Sequence, residues 1–330
     1  MSKQLRFSFS PASKIKHFSS ILSKKEKFVL YLSVFVLLTS LIAWAVYFYI
    51  TSTEVIPTVG GEYTEGIIGQ PHFVNPNLSH VNEIDAILCK LIFSSLMTYD
   101  NQGNLMPDLA ENYDISEDQK TYTFHIKKDV KWHDGTPLKA QDIVFTISLI
   151  QNQAYQSSTQ LRTDWQDIKV STEDDHTVKF ELPEAYAPFI NKTTFGILPK
   201  HIFEEVTPDK FTLNDFNLEP VGSGPFEYSQ FEKDSEDNIL SYQLLANNEY
   251  YGKVPYLQQI TFNFYDDENL LFDAYEKKEI NSFGIISYDK VSSLEERNDT
   301  EIHKIDLSRY FGIFTNQTKS VPLADKKVRK

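Results

Sequence analysis

The sequence describes a mixed α/β body carried behind one apolar helix, and three features say so. Residues 28–50 form an uncharged apolar run; the remainder switches repeatedly between strand-like and helix-like hydrophobic periods; and 14% of the chain is aromatic, chiefly Phe and Tyr. Such residues suit half-buried strands and a cleft that meets a ligand with flat faces. At 330 residues there is room for about two domains. A 41% apolar content can bury a sizeable core, which excludes wholesale disorder.

The N-terminal segment 1–27 is basic. Lys3, Arg6, Lys14, Lys16, Lys24, Lys25 and Lys27 stand against Glu26 alone up to residue 50. The run Phe28–Ile50 follows, 23 residues without a charge, long enough to cross a bilayer as a helix. Trp44, Tyr47 and Tyr49 near its outer end fit an aromatic interfacial belt. Lysines abut its start and none follows closely, so the positive-inside rule places 1–27 in the cytoplasm and the body outside. A cleaved signal peptide would end in small residues; here Tyr47-Phe48-Tyr49-Ile50 stands instead, which favours an uncleaved anchor. Residues 51–60, polar and broken by Pro57, read as a tether.

Beyond Gly61 the periodicities predict a strand at Tyr63–Ile68, closed by Gly69-Gln70-Pro71. A helical period runs over Ile84–Met97, and Thr121–Ile126 alternates as a strand before the turn His133-Asp134-Gly135-Thr136-Pro137. Ala140–Ile150 is helical, with Asp142 placed to favour the positive end. Strands follow at Thr177–Leu182 and Leu257–Tyr265, with a helix at Glu268–Lys278. Asp325, ahead of Lys326-Lys327-Val328-Arg329, marks another helix start.

Several function classes are disfavoured. The net charge is −14 although the first fifty residues are basic, so the body is strongly acidic and repels nucleic acid. Cys89 is the single cysteine; lying in an apolar helical run, it reads as a buried inert thiol. His72, His80, His125 and His133 show no metal-ligand spacing. No G-x-S-x-G elbow, H-E-x-x-H or phosphate-cradling glycine loop is present, so neither catalysis nor a cofactor is expected. The acidic run Glu173-Asp174-Asp175 reads as a solvated turn.

A resemblance sharpens the reading. The stretch Ala110–Pro137 (AENYDISEDQKTYTFHIKKDVKWHDGTP) and Leu138-Lys139-Ala140-Gln141-Asp142-Ile143-Val144-Phe145 resemble the signature of the family 5 extracellular solute-binding proteins. Gly222-Ser223-Gly224-Pro225-Phe226, the run Asn247–Leu257 and the run Asn316–Arg329 continue it in the family's order. Two departures are visible. Lys278-Glu279-Ile280-Asn281 stands where relatives often have G-E-I-D ending the helix, so the glycine is lost, and the chain stops at Lys330 where family members continue.

The resemblance implies a periplasmic-binding-protein-like fold of type II, cluster C: two lobes, incomplete here, preceded by the single transmembrane helix. It implies residues 61–80 and 200–310 as a discontinuous first lobe, 81–199 as a smaller inserted domain and 311–330 as the start of the second lobe. The chain is thus expected to be the N-terminal portion of a longer protein. Function follows by the same resemblance: capture of a peptide or other small solute by lobe closure, then delivery to an ABC permease and its ATPase. The carboxylate that meets a peptide's amino group is expected in the second lobe. Here the candidate ligand-binding residues are Gln70 and Phe73 in the loop after the first strand, Tyr155 from the smaller domain, Gly284 and Ile285, and Tyr310 and Phe311 at the lobe junction. The alternatives are a nickel or other metal chelate as cargo, and a tethered peptide receptor that senses rather than imports.

Overall fold

A computed structural model describes residues 23–53, 57–79, 82–284, 287–295, 297, 299–303, 322 and 327. The chain divides into two units, residues 1–59 and 60–330. In the first, α1 (Lys24–Ser52) is a single helix of 29 residues. Its start is closed reciprocally: the Glu26 N–H donates to the Ser23 hydroxyl, and the Ser23 N–H donates to the Glu26 carboxylate. Those bonds satisfy amides that a helix start leaves open. Inside the apolar stretch Ser33 and Thr39 return their hydroxyls to the carbonyls of Leu30 and Val36, which lowers the cost of carrying them in an apolar medium. Its apolar 18-residue stretch has a mean hydropathy of 2.3, so α1 is long and apolar enough to cross a membrane.

The second unit runs β1 (Glu62–Ile68), α2 (Glu83–Ile92), β2 (Met97–Tyr99), β3 (Leu105–Pro107), β4 (Ala110–Ile115), β5 (Thr121–Ile126), α3 (Ala140–Gln151) and α4 (Thr159–Trp165). It continues with β6 (Lys169–Asp174), β7 (Thr177–Glu181), α5 (Lys200–Phe203), α6 (Pro208–Phe211), β8 (Phe226–Lys233), β9 (Ile239–Ala246), β10 (Gln259–Tyr265), α7 (Glu268–Glu276), β11 (Ser282–Phe283) and α8 (Tyr288–Glu295). Two principal sheets result. The larger has the order β11-β1-β10-β9-β8; β11, β1 and β10 are parallel, whereas β10, β9 and β8 are antiparallel. The smaller is antiparallel throughout, in the order β4-β5-β7-β6, and β2 with β3 forms a separate pair.

Side-chain alternation explains which face each strand buries. Tyr122, Phe124 and Ile126 of β5 and Val178 and Phe180 of β7 point into one core. From the other side come Ile143, Ile147 and Ile150 of α3, spaced to share one helix face. Trp132, Trp165 and Phe189 complete this core, with Phe124 edge-on to Phe180 at 5.6 Å and Trp165 edge-on to Phe189 at 5.7 Å. Each such ring contributes about 1.5–3 kcal/mol by leaving water. A second core lies on the larger sheet. Leu88 and Ile92 of α2 meet Phe226, Tyr242, Leu244 and Phe262 there, together with Phe203 and Phe211. Helix α2 falls within the span 81–199 expected to form the inserted domain, yet its apolar face belongs to this second core. On the larger sheet α7 packs against β1, burying Leu271, Ala274 and Ile280.

Helix α2 ends at Ile92 rather than running to Met97. The reason is local. The Ile92 carbonyl accepts the Gly224 N–H at 2.8 Å, the Ser94 hydroxyl donates to the Ser223 carbonyl, and the Ser95 N–H donates to Asp108. These bonds pull the chain into extended form, so Leu96 and Met97 serve the smaller sheet's core. A Cβ on Gly222 would overlap the Ile92 carbonyl oxygen, so only glycine allows this approach.

The predicted turn at residues 133–137 acquires a partner that spacing does not show. The His133 N–H donates to the Gly222 carbonyl at 2.8 Å. Its Nδ1 accepts the Gly222 N–H at 3.1 Å, and its Nε2 lies 3.1 Å from the Gly224 carbonyl. That network assigns the proton to Nε2. Burial pushes the imidazole down to about 4, against the smaller raising effect of the Gly224 bond. The ring is therefore neutral, and it latches the turn to the segment that leads into β8. Asp142 links two segments in the same way, accepting the Lys139 N–H at 2.8 Å and the Lys200 N–H at 2.9 Å. The Asp325 helix start lies outside the described residues.

Candidate functional site

The parallel strands β10, β1 and β11 point their carboxyl ends the same way, and in open α/β sheets that is where ligand crevices form. A cavity of about 430 Å³ lies there, within the usual size range for small-ligand sites. Its walls are the end of β1 from Glu65, the loop through Gln70 and His72, the start of α2 and Gly284.

The loop leaving β1 is fixed at several points. Gly69 takes φ +98°, a region that favours glycine, and its N–H donates to the Tyr265 carbonyl at 2.8 Å. Asn82 caps α2 by accepting the Ile84 N–H at 3.0 Å, while its Nδ2 donates to the Gln70 carbonyl at 2.9 Å. The Gln70 side chain reaches across to β9, where its Oε1 accepts the Ile239 N–H at 2.8 Å. Asp85, 1% exposed, accepts the N–H groups of His72 at 2.7 Å and Phe73 at 3.0 Å. Burial raises the Asp85 carboxyl above its ordinary range, and the two backbone bonds oppose that. Three elements, β9, β10 and α2, therefore hold the loop before any ligand arrives, so the wall is preorganised.

Chemically the cavity mixes aliphatic surface with carboxylates. Ile67, Ile68, Ile84 and Ile87 supply the former; Glu65 and Glu83 supply the latter. The Tyr63 hydroxyl donates to Glu65 at 2.5 Å, and burial, followed by that bond, pushes Tyr63 up to about 12. Three residues after Gly284, Ser287 is held by Glu268, its N–H donating at 2.5 Å and its hydroxyl at 2.8 Å.

Of the residues expected from sequence, the structure brings Gln70 and Gly284 together on this cavity. Phe73 is half-buried just beyond it and does not line it, although its amide belongs to the Asp85 clamp. Tyr155 is elsewhere. Its ring packs edge-on to Phe211 at 5.2 Å, its hydroxyl donates to the Val206 carbonyl at 3.1 Å, and it adjoins the larger sheet's core. Ile285, Tyr310 and Phe311 lie outside the described residues. Sequence reasoning did not single out Glu65, Asn82 or Glu83, and weighed His72 only as a metal ligand. The available signal was the polar start of α2, whose cap Asn82 and first-turn Glu83 and Asp85 mark a helix start.

Among the described residues no group of three or more His, Cys, Asp or Glu could hold a metal ion. His125 pairs with Asp114 at 3.1 Å. Cys89 is buried, and desolvation drives its thiol far above the usual range, where it is unreactive.

Comparison with known proteins adds to this geometry. The family model for bacterial extracellular solute-binding proteins, family 5 Middle, matches residues 104–330. The oligopeptide-binding protein AppA of Bacillus subtilis is 30% identical over 277 residues, covering 83% of this chain and 49% of the relative. Its structure in complex with a nonapeptide superimposes with a TM-score of 0.67, covering 74% of this chain and 47% of that one. The dipeptide-binding protein of Escherichia coli is 29% identical over 250 residues, covering 68% of this chain and 44% of its own. NikZ from Campylobacter jejuni, in complex with Ni(L-His), gives a TM-score of 0.63 at 25% identity, covering 72% of this chain and 45% of NikZ. The chain spans about half the length of the relatives it matches. The fold is that of the type II periplasmic-binding proteins.

Proposed function

The chain belongs to the bacterial extracellular solute-binding proteins of family 5, and from that premise we propose that it is the peptide-capturing component of an ABC importer. The observation that carries the reading is the preorganised cavity at the carboxyl ends of β1 and β11, in a chain related to an oligopeptide-binding protein. On this reading the cavity is one wall of a cleft, and a second lobe closes the other. The ligand touches both lobes only when they are closed, so binding shifts the population toward the closed form. Backbone pairing with an extended peptide ignores side-chain identity, which allows a broad range of sequences. Such a protein catalyses nothing; it delivers its cargo to a permease driven by an ATPase.

The finer assignments belong to the same proposal. Helix α1 anchors the body outside the cell with residues 1–27 in the cytoplasm. Residues 61–80 and 200–310 form the first lobe, 81–199 the smaller domain and 311–330 the start of the second lobe. Gln70 and Gly284 contact the ligand, and Phe73, Tyr155, Ile285, Tyr310 and Phe311 complete the candidate set. The likeness to NikZ supports one other cargo, a nickel–amino acid chelate.

The deciding experiment is isothermal titration of the full-length protein in detergent with a mixed set of two- to nine-residue peptides and with nickel–histidine, alongside small-angle scattering. Peptide binding at one site per chain, with a smaller radius of gyration, is the expected result. Binding of nickel–histidine but of no peptide would move the assignment to the chelate, and turnover of a peptide would overturn solute capture altogether.

A further inference from the structure

We propose that Gly284 is the specificity-determining residue of this cavity, keeping it wide enough for a bulky apolar side chain of the captured peptide. The inference rests on the peptide-capture reading above and names the side-chain class that this half of the cleft admits.

Three glycines border the cavity, and the fold demands two of them. On Gly66 a Cβ would overlap the side chains of Leu271 and Ile280, and Gly69 holds φ +98°. Gly284 differs on both counts. Its φ lies outside the left-handed region, and no atom of the described residues stands within 4 Å of the place its Cβ would take. Among the described glycines it alone has neither a positive φ nor such a neighbour. The chain is also fastened on both sides of it. Asn281 is tied to β1, its N–H donating to the Thr64 carbonyl at 2.8 Å and its Oδ1 accepting the Thr64 N–H at 2.8 Å, while Ser287 is tied to Glu268. Glycine loses more backbone freedom on folding than any other residue, so one at an unforced position calls for another reason. Its place on the cavity wall supplies that reason: a side chain there would occupy the space a guest uses.

The rest of the wall says what fills that space. Ile68 is 42% exposed and Ile87 37% exposed, and both border it. Open aliphatic surface gains from contact with an apolar group in proportion to the area covered. A leucine or phenylalanine side chain of the guest can cover such surface, whereas glycine brings nothing to cover it with.

The test uses the full-length protein in detergent and three peptides identical except at one residue, which is Gly, Leu or Phe, with that residue scanned through each position. At one position the Leu and Phe peptides should bind about fivefold more tightly than the Gly peptide. In Gly284→Val they should lose about tenfold at that position, with the Gly peptide staying within about twofold of its wild-type affinity. Gly284→Ala should show a smaller loss of the same pattern and a thermal midpoint about 1–4 °C above the wild type, because its backbone is not strained. The alanine variant carries the test if the valine one does not fold. Equal affinities for the three peptides at every position would overturn the size filter and leave peptide capture standing, as would substitutions that weaken all three equally or none. A Gly284→Ala midpoint well below the wild type would also overturn it, by showing that the fold itself requires the glycine. Failure of every peptide to bind the wild type would instead remove peptide capture, and the inference with it.

Discussion

Replacing His133 by alanine tests how the turn at 133–137 is fastened to the strand-entry segment at 222–225. The substitution removes both ring bonds and keeps the backbone bond from the His133 N–H to the Gly222 carbonyl. The Gly222 N–H then loses its acceptor, a cost of about 1–3 kcal/mol. The Gly224 carbonyl keeps the Asn247 Nδ2 as a donor at 3.1 Å, so its loss adds little. Lost ring burial adds about 1 kcal/mol. A total near 3 kcal/mol lowers the thermal midpoint by about 6–12 °C for a body of this size. The direction of the pH dependence follows from the folded imidazole sitting at about 4, below its ordinary 6.5. Between those values the unfolded chain binds a proton that the folded ring refuses. The latch therefore contributes fully above about pH 6.5 and loses up to about 3 kcal/mol as the pH falls to 4. Urea unfolding of both proteins by circular dichroism, from pH 7.5 to 4, should show a large gap at the upper end that closes at the lower. A variant as stable as the wild type at pH 7.5, or a gap that stays constant with pH, would refute the reasoning.

Two further outcomes are expected. Asp85→Ala leaves the amides of His72 and Phe73 without an acceptor and should cost about 2–4 kcal/mol, while Asp85→Asn, which keeps one acceptor oxygen, should cost roughly half as much; equal stability of all three proteins in urea would contradict the clamp. If α1 is an uncleaved anchor, intact mass spectrometry of protein purified from membranes should include residues 1–50, and a mature chain beginning after Ile50 would contradict it.

Much of the fold is legible in the sequence, and where it is not the cause is physical. Strands β5, β7 and β10 and helix α7 show clean periods because one face of each is buried and the other is not; β1 and α3 are covered on two sides and are read from their apolar content. Strand β9 escaped because Leu240 and Leu245, apolar but on its outer face, break the alternation. Strand β6 (KVSTED) is mostly exposed and polar, so it carries little hydrophobic signal. Leu96 and Met97 fit the helical period of α2 and were drawn away by hydrogen bonds to residues more than a hundred positions distant. The cavity divides in the same way. Gln70 and Gly284 could be anticipated as residues that follow strands, whereas Glu65 and Glu83 meet only because α2 packs beside the end of β1, a non-local event that no local pattern encodes.

The placement of the indole rings has a practical consequence. Of the three tryptophans, Trp44 is on α1, and Trp132 and Trp165 are both in the core beside the four-stranded sheet, whereas the core of the five-stranded sheet contains none. Emission excited at the red edge of the protein band therefore reports loosening of one layer and is blind to the other. Compared with far-ultraviolet dichroism, which sees both, it makes the molecule its own two-channel thermometer: coincident curves mean that the layers melt as one, and fluorescence that lags the dichroism means that the layer bearing the cavity opens first.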